Sequence, residues 1–276
     1  MRYFGLFLVG VGVAALILSA GFFFQQSWAT ALWPLPGGKL SFGFMAAILA
    51  GAGVALMWVG ICGERGAMAS YAISFGIMFG GMAIFTLQLY EASEPQNARL
   101  LSYSIGCMAL TALCSILWRL SMTLKNSDPR PMPPSLRIPL MVEIVVLIGV
   151  GVALVLKRPD TLPWSLSPEA SVIYGWAFLG LAVYYIYPLL RPTWNNTRGQ
   201  LAGFLAYDLV LLTPLVGHLA DVKPEHVLGL VVALGIIIVS GVLSIYYLFI
   251  NKATRPRFAR LDTTKTTLQQ GNTMPR

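Results

Sequence analysis

The chain has 276 residues, of which 57% are hydrophobic and only 11% are charged. A soluble domain carries about 25% charged residues, so a water-soluble core cannot absorb this much apolar surface, whereas lipid can. The net charge of +8 at pH 7 does not indicate a nucleic-acid-binding domain, because the basic residues are spread over the segments between apolar runs. The composition therefore excludes an ordinary soluble fold and favours an all-α integral membrane protein.

Eight apolar runs account for most of the chain. Each is close to the roughly 20 residues that an α-helix needs to cross a hydrocarbon core about 30 Å thick. A membrane-spanning β-strand would need only about 9–11 residues of alternating polarity, a pattern that is absent. The first run is longer than the roughly 7–15 apolar residues of a signal peptide, so we expect it to be retained as a span. The predicted transmembrane helices are 4–24, 42–61, 68–90, 100–118, 138–156, 172–190, 201–217 and 227–250.

Three landmarks occur twice in the same order, which predicts two tandem, parallel four-helix repeats. The sequence Leu-Val-Gly-Val-Gly-Val-Ala at residues 8–14 returns as Leu-Ile-Gly-Val-Gly-Val-Ala at residues 147–153. Arg-Gly-Ala-Met-Ala at residues 65–69 returns as Arg-Gly-Gln-Leu-Ala at residues 198–202. Because each repeat contains an even number of spans, both would enter the membrane in the same direction, as in parallel-repeat transporters.

The third landmark is a tryptophan–proline turn at the end of the bundle opposite the termini. Tryptophan rings prefer the headgroup level of a bilayer, and proline cannot continue a helix, so each copy predicts an interfacial turn before a new helix. A glycine that follows each turn would allow close helix approach. The residues are Trp33, Pro36 and Gly43 in the first repeat and Trp164, Pro168 and Gly175 in the second.

A glycine pair in the third run points to another helix-packing site. Gly76 and Gly80 form a G-x-x-x-G pattern. Small residues four apart let helix backbones touch, which is how helices associate in lipid. The pair predicts packing either within this chain or in a homo- or hetero-oligomer.

These patterns divide the chain into four regions. Residues 1–125 form the first repeat, residues 126–136 a proline-rich linker, residues 137–250 the second repeat, and residues 251–276 a basic tail. Proline makes the linker extended and stiff, and the polar composition of the tail predicts disorder. Arg255, Arg257 and Arg260 would lie near the membrane, where they could bind anionic lipid headgroups or simply contribute to the charge of the cytoplasmic side.

The basic residues also predict orientation. Loops on the cytoplasmic side of membrane proteins collect Lys and Arg. With eight spans, both termini share a side, and that side carries fourteen of the 19 Lys and Arg residues. We therefore expect a multi-pass protein of the cell membrane with both termini in the cytoplasm. The five basic residues on the other side are Lys39, Arg99, Lys157, Arg158 and Lys223.

Two acidic residues fall inside predicted spans. Asp208 lies ten residues past Arg198, or about 15 Å along a helix, and Glu143 lies six residues past Arg137, or about 9 Å. No Lys or Arg lies deep in any span, so neither acid has an obvious partner in the middle of the membrane. A charge at the bilayer centre costs at least about 2.5–3.5 kcal/mol, and intramembrane acids are therefore candidates for function. Asp208 and Glu143 are the candidate coupling acids, although a protonated carboxyl group bonded to a neighbouring helix is the structural alternative.

Evidence for a metal or an organic cofactor is weak. His218, Asp221 and His226 lie with Glu225 in one short loop, but their spacing fits no standard zinc pattern. No histidine falls in the middle of a span to ligate haem, and H-E-x-x-H, P-loop and G-x-S-x-G sequences are absent. We expect no cofactor.

The second tryptophan–proline copy also carries a resemblance. Trp-Ser-Leu-Ser-Pro at residues 164–168, followed by Gly-Trp at 175–176, resembles uncharacterised bacterial multi-pass membrane proteins with a W-x-L-T-P…G-x-W signature. The first copy departs from that signature. The resemblance implies a bacterial inner membrane and no particular activity.

Three functions are compatible with these features. The first is a small proton- or cation-coupled permease with a path between the two repeats. The second is a non-catalytic accessory or scaffold subunit of a membrane complex, held to its partners by glycine faces. The third is a membrane-embedded enzyme, for which Glu143, Arg119 and Arg198 would form the only candidate cluster, so an enzyme is the least favoured of the three.

Overall fold

The computed structural model describes residues 2–64, 67–123 and 130–254, without the side chains of Arg2 and Glu225. The described chain is built from nine α-helices, one of which is a single turn. A π-helical turn, Tyr246–Ile250, extends the last helix. The helices are α1 (Arg2–Phe23), α2 (Ser27–Thr30), α3 (Lys39–Cys62), α4 (Met68–Glu91), α5 (Ala98–Met122), α6 (Arg137–Val155), α7 (Pro168–Leu190), α8 (Trp194–His218) and α9 (Val227–Ile245).

Eight of these helices are long and apolar enough to cross a membrane, as expected of a polytopic membrane protein. They are all except the one-turn helix α2, and each overlaps one of the eight apolar runs. The sequence-based prediction of eight long helices is therefore confirmed.

Local signals fix several helix ends. Gly63 ends α3 in the left-handed conformation, with φ of 69°, which glycine adopts without steric cost. The Asn97 side chain accepts a hydrogen bond from the backbone N–H of Arg99 and so caps α5. Ser167 caps α7 in the same way, accepting from the N–H of Ala170, and Pro168 occupies the first turn, where its missing N–H costs nothing.

The long helices pack in a regular pattern. α1 packs on α3, α4 on α5, α6 on α7, and α8 on α9. Two further contacts join the halves of the chain, because α3 packs on α8 and α4 packs on α7. The helices α3, α4, α7 and α8 therefore form the inner part of the bundle, with α1, α5, α6 and α9 outside.

The described core has two clusters, one toward each end of the bundle. At the end opposite the termini, Phe44 stacks on Phe178 with ring centroids 5.2 Å apart, and Tyr174 donates a hydrogen bond to the carbonyl oxygen of Ser41. At the end that carries the termini, which we call the terminal end, Tyr185 stacks on Phe204 at 4.3 Å. Residues of both halves of the chain contribute to each cluster.

The described part of the predicted linker forms backbone hydrogen bonds with the segment between α7 and α8. The N–H of Met132 donates to the carbonyl oxygen of Pro192, and the N–H of Trp194 donates to that of Arg130. Residues 130–132 therefore lie against the connection between α7 and α8. Residues 126–129 of the linker lie outside the described chain, as does the tail from residue 255 with Arg255, Arg257 and Arg260.

Candidate functional site

The two acids of the predicted spans line the same cavity. Asp208 on α8 and Glu143 on α6 both border a cavity of about 350 Å³, which is lined by residues of α3, α4, α6, α7, α8 and α9. Small-molecule sites typically enclose about 300–1,000 Å³. The cavity is therefore large enough for a small ligand.

Asp208 is almost fully buried, with 5% of its surface exposed. The side chain of Ser240 on α9 lies close to its carboxyl group, next to Gly241. The Oδ2 atom of Asp208 is buried and has no hydrogen-bond partner among the described residues. A buried polar atom without a partner carries its full desolvation cost, so this oxygen is available to a proton or to a bound group.

Glu143 approaches the same space from α6. Tyr185 of α7 lies close to its carboxyl group, and Glu143 and Asp208 are close enough to interact electrostatically. Two carboxylates in one low-dielectric space repel each other, so the pair favours binding at least one positive charge, either a proton or a cation.

The remainder of the lining is largely apolar and aromatic. None of the described residues that border the cavity is Lys, Arg or His. Asp208 and Glu143 are the only acids among them. The aromatic lining includes Phe44, Phe75, Phe178, Tyr185, Phe204 and Tyr207.

The end of the cavity opposite the termini is covered by the loop between α6 and α7. Leu162, Pro163 and Trp164 of this loop border the space. The ring of Trp164 lies 6.0 Å from that of Phe44, and the His218 ring nitrogen Nε2 lies 3.2 Å from the carbonyl oxygen of Pro163. The predicted tryptophan–proline motif thus contributes a wall of the cavity.

A polar cluster lies at the terminal end of the cavity. Tyr71 and Tyr184, which border the space, have ring centroids 4.7 Å apart. Behind them, Gln200 Nε2 donates to the carbonyl oxygen of Tyr184 at 2.7 Å. Glu64, which is fully buried, forms an ion pair with Arg198.

The side of the cavity between α6 and α9 is bordered by exposed apolar side chains. These two helices do not pack extensively against each other, although both border the cavity. Val142 and Val146 of α6 and Val232 and Ile236 of α9 line the space and are 37–57% exposed. The cavity therefore reaches the outer surface between these helices.

The predicted glycine sites all lie at helix contacts within the chain. Gly76 and Gly80 on α4 face Cys114 and Thr111 of α5. Gly43 on α3 lies against Pro214 of α8. In the other half, Gly175 of α7 approaches Val155 and the carbonyl oxygen of Gly151 on α6.

The first tryptophan–proline copy differs from the second. Trp33 is only 4% exposed, and its ring lies 5.7 Å from Tyr174 and 6.2 Å from Tyr103. It therefore packs inside the protein, whereas the sequence pattern predicts a ring at the membrane interface. Pro36 lies in the loop that precedes α3, and Pro168 lies in the first turn of α7.

His218, Asp221 and His226, the candidate metal ligands of the sequence, do not converge on one point. His218 contacts Pro163, His226 lies 3.6 Å from Asp160, and Asp221 is exposed. Within the described ranges, no group of three His, Cys, Asp or Glu side chains is placed to hold a metal ion.

The enzyme cluster predicted from the sequence is not assembled either. Arg198 pairs with Glu64, Glu143 lies beside Tyr185, and Arg119 is exposed on α5. Neither Ser240 nor Glu64 is distinguished by the sequence pattern alone.

Comparison with known proteins identifies no relative. No protein-family model matches the sequence, and no curated protein or solved structure is significantly similar to it. The geometry of the cavity is therefore the evidence that bears on the function of this chain.

Proposed function

We propose that this chain is a small proton- or cation-coupled permease of the cell membrane, with Asp208 as the coupling acid and Glu143 as a second acid on the same path. The observation that carries the proposal is that both intramembrane acids border one cavity. An uncompensated charge is costly at that depth, so a proton or a cation would have to neutralise the site. Exchange of one for the other would couple their movements.

A duplicated architecture is part of this proposal. If α1, α3, α4 and α5 correspond to α6, α7, α8 and α9, the contact of α3 with α8 corresponds to that of α7 with α4. This reciprocal packing supports two parallel repeats related by a two-fold axis along the membrane normal. An experimental structure without such an axis would contradict the duplication.

The two alternatives have less support. Gly76 and Gly80, which we had considered as a scaffold face, are directed at α5 of the same chain. An enzyme would need convergent polar groups, whereas the acids of the cavity face a largely apolar and aromatic lining. The permease is therefore the function that the geometry supports best.

Proton-linked flux in reconstituted vesicles tests the proposal. Vesicles would contain a pH-sensitive dye and carry an imposed potassium diffusion potential, and cationic, neutral and anionic solutes would be added in turn. We expect at least one class to move protons through the native protein. The Asp208→Asn variant should lose this movement, and the Asp221→Asn variant, changed at an exposed loop acid, should keep it.

Two results would contradict the proposal. If no solute class moves protons through the native protein, the chain is not a proton-coupled permease for them. Undiminished proton movement in the Asp208→Asn variant would remove that residue from the mechanism.

A further inference from the structure

The lining of the cavity discriminates among classes of ligand. A small anion would meet two acids and, among the described residues of the lining, no basic side chain. A metal ion such as Ca²⁺ requires about 6–8 oxygen ligands, more than this apolar lining is arranged to offer. An organic cation fits better, because aromatic faces attract its charge and apolar walls accommodate its body.

The acids provide the charge complementarity for such a ligand. Asp208 is 95% buried, and its Oδ2 atom has no partner in the described chain. Glu143 lies near enough to Asp208 that a positive charge bound beside Asp208 would also attract the Glu143 carboxylate. One ammonium-like group between them would neutralise a carboxylate that is otherwise costly to bury.

The route into the cavity follows from its walls. The loop with Trp164 covers the end opposite the termini, and Tyr71, Tyr184 and the polar cluster behind them close the terminal end. The gap between α6 and α9 opens instead on the outside of the bundle, where both helices expose branched apolar side chains. In a bilayer, that surface faces the acyl chains.

We propose that the cavity is a binding site for a lipophilic organic cation, which enters sideways from the lipid phase between α6 and α9 and places its positive group against Asp208 and Glu143. The inference names the substrate class of the proposed permease, so its transport aspect rests on that function, whereas binding does not. Whole phospholipids are disfavoured, because their phosphate would find no basic partner in the lining.

A pair of isosteric probes tests recognition of the charge. Binding of radiolabelled N-methyl-4-phenylpyridinium to purified protein in detergent is measured directly, with neutral 4-methylbiphenyl as a competitor of almost the same shape. We expect saturable binding that excess unlabelled cation displaces and the neutral analogue does not. Equal displacement by both, or no saturable binding of the cation, would overturn the proposal.

Matched variants locate the site. Asp208→Asn should weaken the affinity for the cation about tenfold or more, which corresponds to about 1.4 kcal/mol. Glu143→Gln should weaken it as well, and Asp221→Asn should not. A second measurement shows whether each variant is folded. Its elution volume in size-exclusion chromatography and its unfolding temperature must equal those of the native protein. Native-like affinity in a folded Asp208→Asn variant would overturn the proposal.

The lateral route has its own controls on the same two helices. Val146→Trp and Val232→Trp would narrow the gap, whereas Val145→Trp and Val231→Trp change neighbours that are also exposed but do not line the cavity. In vesicles, the first pair should slow association of the cation several-fold, and the second pair should not. Equal rates in all four variants would overturn entry between α6 and α9.

The two proposals fail in different ways. Charge-selective binding without proton-linked flux would leave this inference standing and contradict the permease. Proton-linked flux of another solute, in a protein that does not bind the cation, would support the permease and overturn the inference.

Discussion

The buried ion pair between Glu64 and Arg198 joins the connection after α3 to the first turns of α8. Glu64 is fully buried, and the guanidinium of Arg198 also lies over the Trp58 ring, 5.7 Å from its centroid. A buried pair adds little stability compared with apolar packing, because desolvation offsets the attraction. Removing one member is different, because the other charge is then left without compensation.

Breaking this pair should therefore destabilise the protein more than removing it altogether. We expect Glu64→Gln or Arg198→Gln alone to cost about 3–5 kcal/mol, and the double variant to cost less than the sum of the two. Unfolding of the purified protein in detergent measures these costs. Glu91→Gln, at an exposed acid at the end of α4, serves as a control and should be close to neutral. Strictly additive costs in the double variant would contradict coupling between Glu64 and Arg198.

Individual site residues were predictable from the sequence when their chemistry contrasted with their surroundings. Asp208 and Glu143 stand out because each is a charge within an apolar run. Ser240 does not, because a small hydroxyl side chain is common in such runs and only the packing of α8 on α9 brings it to Asp208. Glu64 lies just beyond a run and is typical of a solvated loop acid until α8 supplies Arg198.

At the scale of whole helices, hydropathy predicted the existence of every long helix but not all of their ends. The largest difference is at α8, which begins at Trp194, whereas the apolar run begins at residue 201. Its first turns hold Asn195, Asn196 and Gln200, which are buried against protein. Polar residues that face other helices do not lower the stability of a span. A hydropathy scale based on transfer to lipid counts them as unfavourable all the same, so it places the first residue of such a helix too late in the sequence.

The contact between α3 and α8 depends on a pair of glycines. A Cβ atom at Gly203 would lie 2.8 Å from the carbonyl oxygen of Gly51, and one at Gly51 would lie 3.0 Å from that of Gly203. The two backbones therefore touch, which larger side chains would prevent. This contact also borders the cavity, because both glycines line it.

Substitution at this contact should separate the helices. We expect Gly203→Val to destabilise the protein by about 1–3 kcal/mol, the usual cost of overpacking, and to lower the yield of folded protein in detergent. Gly217→Val is the matched control on the same helix, because nothing lies within 4 Å of a Cβ atom built there. Thermal unfolding of the two purified variants measures the difference. Equal stability of the two would contradict a close α3–α8 contact.

For the molecule as a whole, the candidate site belongs mainly to one half. With the offsets of the sequence landmarks, Asp208 corresponds to Phe75, and Glu143 corresponds to Phe4. The proposed repeats would thus share a packing scheme, while only the second carries acids at these two positions. Sequence repetition could predict that scheme, but the cavity depends on the gap between α6 and α9, which only the assembled bundle forms.

The charge distribution predicts the orientation of the bundle, and labelling of one native cysteine can test that prediction. Cys62 is exposed at the end of α3, on the terminal end, whereas Cys107 and Cys114 are buried. The sequence assigns fourteen of the 19 Lys and Arg residues to the side of the membrane that holds the termini, so this side should face the cytoplasm. A membrane-impermeant maleimide should therefore spare Cys62 in intact spheroplasts and label it in inverted vesicles.

The control for this experiment uses the opposite end. In a Cys62→Ser background, the Asp160→Cys variant introduces a thiol into the loop between α6 and α7, at a side chain that is 77% exposed. This thiol should be labelled in intact spheroplasts and protected in inverted vesicles. The opposite labelling of both positions would place the termini outside the cell, and the charge distribution would then not set the topology of this protein. The two thiols lie at opposite ends of the same bundle, so either orientation exposes only one of them in intact spheroplasts. Labelling of both positions would instead show that the membranes of the preparation are leaky.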